Sequence, residues 1–183
     1  MVDAITAPDV LHLFIGAVIS YLLGSLNGSL LLSKLILKDD IRRHGSGNAG
    51  ATNVLRTYGK GWTVLVSLWD MGKGALAVAL GWGLGLWIGG RDIGMIAAGF
   101  CVILGHVFPV FFKFKGGKGV ATACAVLFAL DWRVAAIALS LFLHDVSKSV
   151  QRRGALRSWP VDCLQSLSLA AQSPSVSPPG ASG

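Results

Sequence analysis

Two short polar stretches carry the residue types that could hold an anion. The first contains Gly45, Ser46, Gly47, Asn48, Gly50, Thr52, Asn53 and Arg56; the second is Lys115, Gly116, Gly117, Lys118 and Gly119. Glycines let successive backbone N–H groups turn toward one anion, as a nest does. A loop leading into a helix start adds the positive end of its dipole, and a helix is expected to begin at Gly119-Val120. Lys115 and Lys118 supply point charges, and Arg56 supplies a planar fork that grips phosphate through two parallel bonds. Lysines that flank a helix can also be plain membrane anchors, and glycines plain packing. Two such stretches on one side of a membrane favour the alternative, a single phosphate site built from both.

Other chemistries fit less well. Gly45, Gly47 and Gly50 formally match a dinucleotide fingerprint, but that fingerprint should follow a strand, and here Arg42, Arg43 and His44 precede it. The second stretch has neither the Ser or Thr after Lys118 nor the earlier glycine that a P-loop requires. No Ser-His-Asp order and no HxxxxD pattern is present. Asp70 and Lys73, three apart, share a helix face as an ion pair or as part of the site. His106, just before Phe108-Pro109, could serve as a base or hydrogen-bond a helix end. Cys101, Cys124 and Cys163 are far apart, which argues against a disulfide framework or a zinc site. Neither a metal nor a cofactor is expected.

The elements that must position these residues are apolar. The 183 residues are 53% hydrophobic and only 14% charged, against about 25% charged in soluble domains. This points to a membrane protein, and the net charge of +7 then reads as cytoplasmic lysines and arginines rather than a nucleic-acid surface. A spanning helix is expected over Val10 to Leu37, with Ser25, Asn27, Ser29 and Ser33 facing protein or a substrate cavity. Further apolar runs cover Trp62 to Trp69, Ala75 to Ile88, Ile93 to Leu104, Val120 to Leu130 and Val134 to Leu143. The loop from Lys38 to Lys60 is basic, hence inside, which puts the amino terminus outside. The expectation is an all-α, polytopic membrane helix bundle of about five membrane segments over residues 1–143. Residues 144–183 form a basic, then Ser/Pro-rich tail whose composition predicts disorder.

Ser46 and Arg56 within residues 44–56, Asp70 with Lys73-Gly74, and Gly105-His106 with Phe108-Pro109 through Thr122 occur in an order that closely resembles the bacterial acyl-phosphate-dependent glycerol-3-phosphate acyltransferases, the PlsY family. The likeness covers roughly Val10 to Leu139. The resemblance implies a multi-pass enzyme of the cytoplasmic membrane, its active site on the cytoplasmic side. It would move a fatty acyl group from acyl phosphate to glycerol 3-phosphate, giving lysophosphatidic acid and phosphate without a metal. By motif match Ser46 and Arg56 stand at the family's essential serine and arginine. Lys115 and the Gly116, Gly117, Lys118, Gly119 loop stand at its phosphate-binding residues. A non-enzymatic transporter or channel for phosphate esters could use the same loops. It would need a polar path outward, and the outer turns offer little beyond Arg91-Asp92 and Asp131-Arg133. The family also ends in a motif with a histidine and an asparagine, whereas the last asparagine here is Asn53. A frameshifted or truncated member, impaired by its altered end, is the expectation from about Leu141 onward.

Overall fold

The computed structural model describes residues 7–88, 90–141, 144 and 148. Among them every regular element is helical. Helix α1 spans Ala7–Ser25, and α2, Gly28–Leu31, runs directly into a π-helical turn, Leu32–Ile36. A 3₁₀ turn, Ile41–Arg43, leads to α3, Ala51–Tyr58. Then come α4, Lys60–Trp87, α5, Arg91–Val107, a 3₁₀ turn at Val110–Phe112, and α6, Val120–Leu130. A last apolar helix, α7, covers Trp132–Leu141. The chain divides into two compact units, Met1–Ile137 and Ala138–Gly183. The site lies wholly in the first; of the second, the described residues are helical. Of the expected disordered tail, His144 and Lys148 are described and helical, and the rest lies outside the described residues.

Among the described residues, three stretches are long and apolar enough to cross a membrane: Pro8–Ser25, Lys60–Trp87 and Arg91–Phe112. At about 1.5 Å per residue, the 28 residues of α4 exceed a hydrocarbon core of about 30 Å and call for tilt. The apolar helices α6 and α7 are too short to cross upright. Large apolar side chains such as Phe14, Leu76, Trp82 and Phe100 face outward, as lipid-facing helices require. Inside, Ala77, Val78, Val102 and Val126 form one core cluster. Glycines let the helices approach closely. A Cβ on Gly24 would strike the Val102 carbonyl, and one on Gly81 the Gly94 carbonyl.

Two expected boundaries are wrong. The helix expected over Val10 to Leu37 is broken after Ser25. Asn27 is extended (φ −67°, ψ 119°), and its side-chain oxygen accepts from Leu30 N to start α2 anew. The carbonyls freed by the break are taken up by side chains: Lys73 Nζ donates to Gly24 O (3.0 Å) and Leu26 O (3.2 Å), and Trp69 Nε1 donates to Leu26 O (2.8 Å). Conversely, Trp62 to Trp69 and Ala75 to Ile88 are not separate segments but one helix. The charges between them pair with each other inside the bundle, Lys73 Nζ to Asp70 Oδ1 at 2.9 Å. The expected stop at Pro109 matches the structure, with α5 ending at Val107.

Candidate functional site

The first polar stretch folds by clipping itself to the start of α3. Asn53, in the first turn of α3, is 2% exposed. Its Oδ1 accepts from Ser46 N (3.1 Å), and its Nδ2 donates to Ile41 O (3.1 Å) and His44 O (3.0 Å). Gly45 is left-handed (φ 54°), and a Cβ there would run into Asn53 Oδ1; only glycine combines that φ with that contact. Beneath the loop, Leu30, Ile41, Ala49, Val54 and Val66 form a second core cluster.

Outside the membrane segments, charged groups hold the loop from the other side. Arg42 pairs with Asp40 (Nη2 to Oδ2, 2.7 Å), and its Nη1 donates to Phe112 O (3.1 Å) and Lys115 O (3.3 Å). The guanidinium holds the Asp40 carboxyl well below its ordinary value, and the carboxylate raises Arg42 in turn. Tyr58 donates to Asp39 Oδ2 (2.7 Å), which lowers Asp39. Burial, then this bond, pushes Tyr58 up to about 12.

The two polar stretches meet around one cavity of about 360 Å³. The first contributes Ser46, Asn48, Gly50, Thr52, Asn53 and Arg56, and the second contributes Lys118 and Gly119. Asp70 and His106 also line it. The first residues of α3 (Ala51, Thr52) and of α6 (Val120, Ala121) are in the lining as well. Two helix starts therefore bear on one space, each with unpaired N–H groups and a positive dipole end. Gly119 enters α6 in the left-handed region (φ 74°). Among the described residues, neither Arg56 nor Lys118 has an acidic partner. Asp70 does not cancel them, because its Oδ1 is already held by Lys73 Nζ and by Gly28 N (3.1 Å).

Not every expected residue reaches the cavity. Lys115 does not line it; its carbonyl is held by Arg42 and its side chain is exposed. The chain turns through left-handed Lys113 (φ 59°) and Phe114 (φ 57°) just before it, and Lys118 is the lysine of this loop that lines the cavity. Lys73 lies behind the cavity, 4% exposed, and fixes Asp70 and the broken end of α1. Gly45, Gly47, Gly116 and Gly117 shape the two loops without lining the space. Gly116 N bonds Val107 O (3.1 Å) and Gly117 N bonds His106 O (3.3 Å). Two further residues support the site: Thr122, given no role from the sequence, whose Oγ1 meets His106 Nδ1 (3.3 Å), and Asn27, expected to face protein or a substrate cavity, whose Nδ2 meets His106 Nε2 (3.4 Å). The signal for Asn27 was its Asn-Gly dipeptide within an apolar run.

A family model described as glycerol-3-phosphate acyltransferase matches residues 14–153. The chain belongs to the glycerol-3-phosphate acyltransferase family. The glycerol-3-phosphate acyltransferase of Pasteurella multocida is 50% identical over 125 residues, 68% of this chain and 60% of that protein. That of Paramagnetospirillum magneticum is 48% identical over 136 residues, 74% of this chain and 64% of that one. Among solved structures, the crystal structure of PlsY, an integral membrane glycerol 3-phosphate acyltransferase, is similar in its glycerol 3-phosphate form. It is 40% identical with a TM-score of 0.63, over 72% of this chain and 64% of PlsY. Its lysophosphatidic acid form gives 39% and 0.60, over 72% of this chain and 63% of PlsY. The family's membrane-embedded helical architecture is the one seen here. The chain spans only about 60–65% of the length of these curated relatives.

Proposed function

We propose that this chain binds glycerol 3-phosphate and an acyl phosphate in the cavity at the α3 and α6 starts and transfers the acyl group between them. The observation that carries the reading is the convergence of two helix starts, Ser46, Arg56 and Lys118 on one cavity whose lining acid, Asp70, is paired through Oδ1 with Lys73. A second feature supports an amphiphilic substrate. An apolar groove of about 240 Å³, lined by Leu31, Leu32, Leu35, Leu65, Val66 and Trp69, also touches Gly28, whose N–H bonds Asp70 of the polar cavity (3.1 Å).

Acyl phosphate is a mixed anhydride with a good leaving group. The work left for the protein is to position two anions that repel each other, which cations and backbone donors accomplish. A hydroxyl of glycerol 3-phosphate attacks the acyl carbon. The new ester C–O bond forms as the bond from acyl carbon to phosphate oxygen breaks. Phosphate leaves with the electron pair and takes the hydroxyl proton. In this scheme Arg56 and Lys118 hold phosphate groups, and Ser46 hydrogen-bonds substrate without carrying the acyl group. Lys118 takes the cationic place first expected of Lys115. The site faces the cytoplasmic side of the inner membrane, where the basic loops lie under the positive-inside rule.

The test is acyl transfer in membranes from cells expressing the chain, given acyl phosphate and labelled glycerol 3-phosphate. Lysophosphatidate should form and should vanish with Arg56→Ala. Bonds to a charged group are worth about 1.5–3 kcal/mol each, so losing two at the fork amounts to at least about a hundredfold. A trapped acyl-Ser46 adduct would overturn the direct transfer. Label moving across the membrane without product would restore the transporter reading.

A further inference from the structure

The buried ring of His106 is where the two anion-binding loops touch. It stands at the end of α5 and is 3% exposed. Asn27 settles how the ring is protonated. Its Oδ1 accepts from Leu30 N (3.2 Å), which fixes the amide and turns Nδ2 toward His106 Nε2 (3.4 Å). Because an amide nitrogen only donates, Nε2 is an acceptor. The proton then sits on Nδ1, which faces Asp70 Oδ1 (3.5 Å) and Thr122 Oγ1 (3.3 Å). The same Asn27 Nδ2 reaches Ala49 O of the first loop (3.4 Å) and His106 O (3.5 Å). Gly117 of the second loop is wedged into this knot. A Cβ there would stand 2.5 Å from His106 Nε2 and closer still to Ala49 O.

We propose that His106 and Asn27 are positioning residues that set the spacing of the two phosphate-binding loops, with His106 held as the Nδ1–H tautomer by Asp70. This rests on the acyl-transfer reading for the identity of the substrate but not for the geometry. The Asn27 amide is the part that matters, since among the described residues it alone bonds both the ring and the first loop. Asn27→Asp separates this role from helix capping. Aspartate caps a helix start as well as asparagine, yet it offers no donor to Nε2 or to Ala49 O.

The experiment measures glycerol 3-phosphate and inorganic phosphate binding by calorimetry on the purified full chain in lipid nanodiscs, beside kcat, KM and thermal unfolding. Asn27→Asp should bind both probes at least tenfold more weakly and raise KM more than it lowers kcat; the new buried carboxylate lowers the unfolding midpoint, so binding is read at a temperature where the variant is folded. Wild-type binding in that variant would overturn the proposal. Should Asn27→Asp not fold, a His106 pair decides. His106→Gln, whose amide can stand in at the Nε2 position, should bind more tightly than His106→Ala, and equal binding by the two would overturn it. Wild type that binds phosphate but transfers no acyl group would sink the acyl-transfer reading alone, leaving the loop-spacing result to be read from binding.

Discussion

Gly117→Ala is the smallest change that should uncouple the two loops. The added Cβ would lie 2.5 Å from His106 Nε2, whereas ordinary contact begins near 3.4 Å. The shortfall is therefore about 0.9 Å (3.4 − 2.5). Neither neighbour can yield cheaply. One is the backbone carbonyl of Ala49, and the other is a ring held from three sides by Asn27, Asp70 and Thr122. The loop itself must retreat, taking Lys118 and Gly119 with it. Overpacking of this kind costs about 1–3 kcal/mol of stability. The larger effect is on chemistry, because a misplacement of about 1 Å can cost about a hundredfold in rate. Acyl transfer in membranes, normalised to the amount of protein, should fall about a hundredfold in Gly117→Ala. Gly72→Ala is the control: a Cβ there meets nothing within 4 Å, and alanine in a helix is favoured over glycine by about 0.5–1 kcal/mol. A Gly117→Ala protein as active as Gly72→Ala would refute the contact on which the loop spacing rests.

Two further outcomes follow from the charges. Lys73→Met leaves the Asp70 carboxylate buried without its ammonium partner (side chains 2% and 3% exposed) and should destabilise the protein by about 3–5 kcal/mol; detergent thermal unfolding should show this, and Asp70→Asn added to Lys73→Met should recover part of it. The clip at Asp39, Asp40, Arg42 and Tyr58 sets a pH window. The carboxylates sit below their ordinary 3.8, so their contribution is full above that value and lost as pH falls through the lower folded values. Tyr58, raised from 10.0 to about 12, contributes fully below 10.0 and loses its contribution as pH rises through about 12. Hydrogen exchange over residues 38–48, corrected for intrinsic rates, should show constant protection between about pH 4 and pH 10. Loss of protection already at pH 5 would count against the carboxylates as its source.

The two polar stretches stood out in the sequence because glycine, hydroxyl and guanidinium types cluster there inside an apolar chain, and the structure brings Ser46 to Arg56 and Lys118-Gly119 around one cavity. Gly45 to Arg56 and Gly116 to Gly119 could be read for that reason, and so could the stop at Pro109. The break at Asn27 was harder to see. Hydropathy averages over a window, and small polar residues such as Ser25, Asn27, Ser29 and Ser33 inside a long apolar run do not lower it enough to show an interruption. The turn that takes Lys115 out of the cavity had no signal at all, since neither Lys113 nor Phe114 is a residue type that favours a left-handed backbone. Yet the scattered intramembrane polar residues share one cause once the break is known. A helix broken within a bilayer frees carbonyls and N–H groups that hydrocarbon cannot satisfy. Lys73 and Trp69 take the freed carbonyls of Gly24 and Leu26, Asp70 takes the Gly28 N–H, and Asn27 caps the new turn while reaching Ala49 and His106. Asn27, which restarts the helix, is thus also the group that ties the first loop to His106. An uninterrupted apolar helix in its place would take from Asp70 its bond to Gly28 N and from His106 its contact with Asn27, so the broken helix belongs to the site rather than to a fault in the fold.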